Sequence, residues 1–147
     1  FSEAQAREMM ASGLITIGSH TFDMHQWAPF ESTPRSGVLP LEGEGADAYA
    51  LALKQDFSTA ADELEAGVGQ RPIALAYPSG WFTAASESVR RQLGFELSFT
   101  VVPKMNTLRF GNPGCLALMG RYTVDDISPQ QLLELLAEGA ASPSRRG

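Results

Sequence analysis

Two side chains in this sequence have the chemistry of metal ligands and lie close together. His20 and His25 are the only histidines, and both fall within IGSHTFDMHQW, residues 17–27. Neutral imidazole is the commonest metal ligand in proteins and a proton carrier near neutral pH. A spacing of five does not stack two side chains on one helical face. On a strand, an odd spacing sends them to opposite faces. The pair converges only if the chain turns between them, and α/β proteins place their sites at such turns, just past the carboxyl end of a strand. Spacing alone leaves a second reading open, that of two unrelated loop histidines, one of them a hydrogen-bonded surface residue. The single cysteine, Cys115, sits between Gly114 and Leu116 with no basic neighbour. It reads as a buried, inert thiol rather than a nucleophile. With one cysteine there is no internal disulfide, which leaves the compartment open.

The elements that must position these residues follow from periodicity and punctuation. Ser2 and Gln5 have the spacing of a capping box, so a first helix is expected to about Ser12, ended by Gly13. LITIG, residues 14–18, reads as a strand buried on both sides and leads directly into the histidines. Residues 26–45 are loop-like, broken by Pro29, Pro34, Pro40 and three glycines. A long helix begins near Ala46, with Leu53, Phe57, Ala60, Leu64 and Val68 forming one apolar stripe. IALAYP, residues 73–78, is a second buried strand. Thr83 caps a third helix, with Val89 and Leu93 inward and Gly94 at its end. LSFTVV, residues 97–102, is a third strand; residues 103–114 form a loop; CLALMGRYTV, residues 115–124, is a fourth strand. Ser128 caps a last helix with Pro129 in its first position and Leu132, Leu133, Leu135 and Leu136 inside. Apolar strands alternating with helices predict an α/β fold, a parallel sheet with helices outside.

The totals narrow the function. The 147 residues suffice for one domain with a sizeable core, and 44% hydrophobic with 19% charged residues is ordinary for a globular chain. A net charge of −6 argues against nucleic acid as a partner, because phosphate binding needs a basic patch. No apolar run approaches the ~20 residues of a transmembrane helix. FSEAQAREMMASG lacks the regions of a signal peptide, and Phe1 is no initiator, so a piece of a longer protein is expected. Residues 1–141 read as one domain and 142–147 as a disordered tail.

Several segments share a pattern with a known family. EMMASGLITIGSHTFDMH resembles the second motif of the polysaccharide deacetylases with a NodB-homology domain, carbohydrate esterase family four. There a helix precedes a strand that ends in Gly-Ser-His-Thr, and a second histidine follows. The longer spacing here is similar to the branch that deacetylates poly-β-1,6-N-acetylglucosamine. RPIALAYPSGWF resembles the third motif, a strand ending in a Pro-aromatic-Gly turn. LGFELSFTV resembles the next strand, and GRYTVDDISPQQLLELL the closing strand and helix. The order and spacing match across nearly the whole chain.

The resemblance implies the C-terminal part of a distorted (β/α) barrel, since a complete (β/α)8 barrel takes ~250 residues. It implies that His20 and His25 bind a divalent metal, most often zinc. The third ligand and the catalytic base are then two aspartates upstream of Phe1. Two histidines and a carboxylate leave a tetrahedral position for water. The resemblance assigns the oxyanion donor to the backbone N–H of Ser79, between Pro78 and Gly80. Trp27 either lines the sugar cleft or packs on the barrel rim. It implies an N-acetylated polysaccharide as substrate, a location outside the cell or in the bacterial envelope, and a missing N-terminal part of the domain, or a second chain, over the open sheet.

The match has departures. Ser79 stands where the family usually has tyrosine, which costs a stacking surface but not a backbone donor. Trp81 or Phe82 either replaces that surface or packs under the loop. Ala76 stands where an arginine often pairs with the base, and Arg71 is too far along the strand to substitute. Asp125 and Asp126, in YTVDD, imitate the missing aspartates but precede a capped helix, where acidic residues suit the dipole. Asp23 reads as a solvated loop carboxylate or an acceptor for an imidazole N–H. Arg121 reads as a partner of Asp125 or Asp126, or of an acidic group near the site. Two rivals remain: a non-catalytic carbohydrate-binding module on the same fold, and a self-contained small metal-binding α/β protein.

Overall fold

The computed structural model describes residues 1–26, 35–125 and 127–141. Helix α1 (Glu3–Ala11) opens with the capping box, Ser2 Oγ accepting from Gln5 N–H and Gln5 Oε1 from Ser2 N–H. Helix α2 (Ala46–Val68) ends at Gly69, whose φ of +79° is open to glycine at no steric cost. Arg7 donates to the Gly67 carbonyl and ties α1 to the last turn of α2. Strand β1 (Ala74–Ala76) pairs in parallel with β2 (Leu97–Phe99), Leu75 opposite Ser98. Helix α3 (Ala84–Gln92) makes the crossover. Two single parallel bridges, Ser19 to Leu75 and Phe99 to Met119, add a neighbour on either side. Four extended segments therefore lie side by side in chain order. Helix α4 (Pro129–Ala141) follows, capped by Ser128.

One face of this small sheet is packed and the other is open. Leu53, Phe57 and Ala61 of α2 and Val89 of α3 bury against Leu75, Tyr77 and Phe95. Side chains alternate along a strand. Leu75 and Ser98 point into this core, while Ala74, Ala76, Leu97 and Phe99 are half-buried and line a cleft of about 650 Å³. A buried ion pair pins α3 beneath the sheet. Arg90 holds Glu87 with two nitrogens at 2.8 and 2.7 Å and donates to the Phe95 and Glu96 carbonyls. Tyr77 donates to Glu87 Oε1 at 3.0 Å. Burial pushes the Glu87 carboxyl up, but the bonds from Arg90, Ser98 and Tyr77 outweigh it and leave it below its ordinary value.

The helices match the sequence expectation within a residue or two; the strands do not. Residues 14–18 are neither a regular strand nor buried on both sides. Leu14 is 87% exposed, because no strand flanks this segment on its outer side among the described residues. The 73–78 and 97–102 strands shrink to three residues each, and Val101 and Val102 are exposed. The expected fourth strand is irregular: it opens in a turn and pairs only at Met119. Pro113–Leu116 is a 3₁₀ turn opened by Asn112 Oδ1 accepting from Gly114 N–H. Asn106 binds both backbone groups of Gly120 at 2.8 Å, so a side chain occupies what a strand would have paired. The leucines of α4 are not inside either. Leu133 is 62% exposed and Leu136 46%, while Leu135 is half-buried. Cys115 is only half-buried, its thiol donating to the Asn112 carbonyl.

Candidate functional site

His20 follows the segment that bridges to β1. Ser19 N–H donates to the Ala74 carbonyl at 2.8 Å, and Ala76 N–H donates to the Ser19 carbonyl at 2.9 Å. This register sets the imidazole at the carboxyl end of β1. Its Nδ1 lies 2.7 Å from the Ala76 carbonyl oxygen. A carbonyl can only accept, so Nδ1 carries the proton and the neutral ring keeps its lone pair on Nε2. Although the residue as a whole is exposed, its ring backs onto the strand. This desolvation holds the imidazole below its ordinary pKa, the Ala76 carbonyl opposes, and the charges of His25 and Arg121 add to the lowering.

The chain then reverses. Thr21 adopts φ +74°, a left-handed conformation that a β-branched residue rarely takes. Its N–H donates to Ser19 Oγ at 3.2 Å, and its Oγ1 is buried without a hydrogen-bond partner. Met24 is buried in the main core and anchors the far side of the turn. His25 returns with its ring 4.9 Å from that of His20, centroid to centroid. The turn that their spacing demands is thus present, and the structure brings the two rings together.

The second cluster lies at the end of β1. Tyr77 N–H donates to the Phe99 carbonyl, and the chain enters the 3₁₀ turn Pro78–Gly80. Ser79 has φ +54° and Gly80 φ +71°. Gly80 is required by contact as well: a Cβ there would lie 2.8 Å from Val101 N. Gly80 and Trp81 N–H groups close the turn on the Tyr77 and Pro78 carbonyls. Among the described residues the N–H of the exposed Ser79 meets no protein acceptor. Trp81 is 37% exposed and lies against Gly37, while the Phe82 ring sits 6.0 Å from that of Tyr77. Arg121 lines the same cleft as His20 and makes no ion pair with Asp125 among the described residues. Arg71 is spent on Asp62 and Glu65, at 2.7 and 2.8 Å. Trp27, Asp126 and the tail 142–147 lie outside the described residues.

The donor set fits part of a zinc-type centre. Two imidazoles, one already oriented by a carbonyl, suit a cation that takes nitrogen ligands. Among the described residues no third His, Cys, Asp or Glu joins them. Asp23 is exposed and touches the site only through its backbone N–H, which binds Asp56. Asp56 itself escaped the sequence reading. Its carboxylate is buried and accepts N–H bonds from the turn between the histidines. Burial raises its pKa, opposed by those bonds. The available signal was its position: Asp56 lies three residues after Leu53 and beside Phe57, a carboxylate inside an apolar stripe.

Comparison with known proteins adds the following. The profile of the polysaccharide deacetylase family matches residues 2–98. No curated protein sequence matches. Among solved structures, IcaB from Ammonifex degensii is similar at 28% identity and a TM-score of 0.68, over 95% of this chain and 53% of that one. The de-N-acetylase from Aggregatibacter actinomycetemcomitans aligns with a TM-score of 0.70 at 22% identity, over 92% of this chain and 53% of that one. The BpsB deacetylase domain from Bordetella bronchiseptica aligns with a TM-score of 0.67 at 22% identity, over 84% and 49%. The chain spans about half the length of each. The fold is accordingly the α/β fold of the NodB-type deacetylases, with a small, open sheet.

Proposed function

The chain belongs to the polysaccharide deacetylase family, a hydrolase class, and from that premise we propose that it carries part of the active site of a metal-dependent N-deacetylase. The substrate is an N-acetylated amino-sugar polymer, which leaves as free amine plus acetate. The observation that carries the reading is the His20–His25 pair, with the rings 4.9 Å apart and Nδ1 of His20 held by the Ala76 carbonyl. In support, solved structures of similar fold bear deacetylase names.

The residues divide the work as follows. His20, through Nε2, and His25 hold a divalent cation, zinc by the family resemblance. When bound, such a cation supplies Lewis-acid polarisation of the acetamide carbonyl and a water of lowered pKa. The Ser79 N–H, uncommitted within the described residues, donates to the oxygen that becomes negative as water adds to the acetamide carbon. Pro78 and Gly80 fix that N–H, and the exposed part of Trp81, with Trp27, offers a surface to the sugar ring. The third ligand and the aspartate that takes the water's proton come from chain outside residues 1–147. The C–N bond breaks, and the proton that the aspartate took from the water passes to the departing nitrogen. Residues 1–141 form the C-terminal portion of the catalytic domain. The enzyme acts in the bacterial envelope or outside the cell. Among the described residues no helix is long and apolar enough to cross a membrane.

Acetate release from N-acetylglucosamine oligomers by the full-length protein tests this. Turnover should vanish with a chelator, return with zinc, and be lost in His20→Ala and His25→Ala. Turnover that survives chelation and both substitutions sinks the proposal. Oligomer binding without acetate release would favour the non-catalytic module.

A further inference from the structure

We infer that Asp56 is a positioning residue for the metal centre, its carboxylate shaping the turn that brings His25 back to His20. This rests on the metal reading above and concerns a residue on a different element, 31 positions beyond the second histidine.

The geometry is that of a clamp. Asp56 is 9% exposed and sits on the core face of α2, beside the fully buried Leu53 and Phe57. Its Oδ1 accepts from Phe22 N–H at 3.0 Å and its Oδ2 from Asp23 N–H at 2.7 Å. Two consecutive N–H groups of the inter-histidine turn thus converge on one rigidly held side chain, one on each carboxylate oxygen. Two N–H groups directed to one point are best met by a fixed acceptor, and the carboxylate that meets them is itself buried. The alignment also accounts for Thr21. A left-handed β-branched residue with an orphaned hydroxyl persists only where its surroundings over-determine it. Here they do so on both sides: Ser19 Oγ and the β1 register before it, Asp56 after it.

The alternative is that Asp56 merely stabilises the fold. The two roles separate because a positioning role acts on the metal-free turn and on metal affinity in a protein that is still folded. In the full-length protein, Asp56→Asn keeps the shape but replaces one acceptor oxygen with an NH₂ group that faces an N–H. Zinc affinity should fall by ~10–100-fold, the usual effect of losing a group that orients a ligand. The metal-free circular dichroism spectrum should be unchanged, and His20→Ala and His25→Ala should lose at least as much affinity. Unchanged zinc affinity in Asp56→Asn, with both histidine variants weakened, overturns the inference and leaves the metal reading standing. Unchanged affinity in the histidine variants overturns the metal reading and the inference with it. If Asp56→Asn does not fold, amide hydrogen exchange in the unsubstituted protein decides. Without metal, the Phe22 and Asp23 amides should already be protected, and zinc should add little. Free-peptide exchange at those two amides before zinc, and protection only after it, refutes a preformed clamp.

Discussion

Replacing Arg90 by methionine tests the frame beneath the candidate site. Arg90 is 2% exposed, and its guanidinium makes two short bonds to Glu87 and two to the carbonyls of Phe95 and Glu96. Met fills much of the same volume but leaves a buried carboxylate without its counter-charge and two carbonyls without donors. Removing one partner of a buried pair costs ~3–5 kcal/mol. Tyr77 still donates to Glu87, which favours the lower end, about 3 kcal/mol. Against the ~5–15 kcal/mol of a typical domain this is a large fraction. With urea slopes of ~1–3 kcal/mol/M, the unfolding midpoint should fall by roughly 1–3 M. The assay is urea unfolding followed by circular dichroism, with Glu87→Gln/Arg90→Met as the decisive companion. That double variant has no orphaned charge and should be more stable than Arg90→Met by at least ~1 kcal/mol, a direct coupling between the two sites. An unmoved midpoint in Arg90→Met, or a double variant that simply adds the two losses, would refute the reasoning. The consequence reaches the site through Tyr77, which bonds Glu87 and immediately precedes Pro78–Gly80.

Other predictions follow from single features. Gly80→Ala should cost ~1–2 kcal/mol for its left-handed backbone, more for the approach to Val101, and lower kcat by up to ~10²-fold through displacement of the Ser79 N–H; acetate release and thermal unfolding measured together check both. Glu87 has a lowered folded pKa, so its ionisation contributes stability above the ordinary value of 4.5 that is lost as pH falls through the lowered one. Glu87→Gln should therefore flatten the fall in stability below about pH 4.5, as read from urea midpoints against pH. Leu133→Lys on the exposed face of α4 should change stability by less than ~0.5 kcal/mol, whereas Leu53→Ala in the core should cost ~2–5 kcal/mol. Thr83→Ala should cost ~1 kcal/mol by removing the cap of α3 and the hydroxyl partner of Tyr49.

What the sequence determined by itself was local. Ser2 with Gln5, Gly69, Thr83 and Ser128 mark helix ends because capping is a matter of a few neighbouring backbone groups. The same locality carries the GSHT stretch, the PSG turn and the family they resemble. Tertiary structure decided whatever depends on a partner distant in the chain. The extent of a strand is set by what lies beside it. Leu14 and Leu133 have apolar, periodic neighbourhoods yet face solvent, because periodicity names a face without supplying its cover. The spacing of five required a turn between the histidines but not the direction of that turn. That direction comes from the Ser19–Leu75 bridge, the left-handed Thr21 and the Asp56 carboxylate on α2. A carboxylate more than thirty residues away leaves no spacing signature. It is legible only as an acid in an apolar stripe until the fold brings α2 against the turn and two N–H groups meet it.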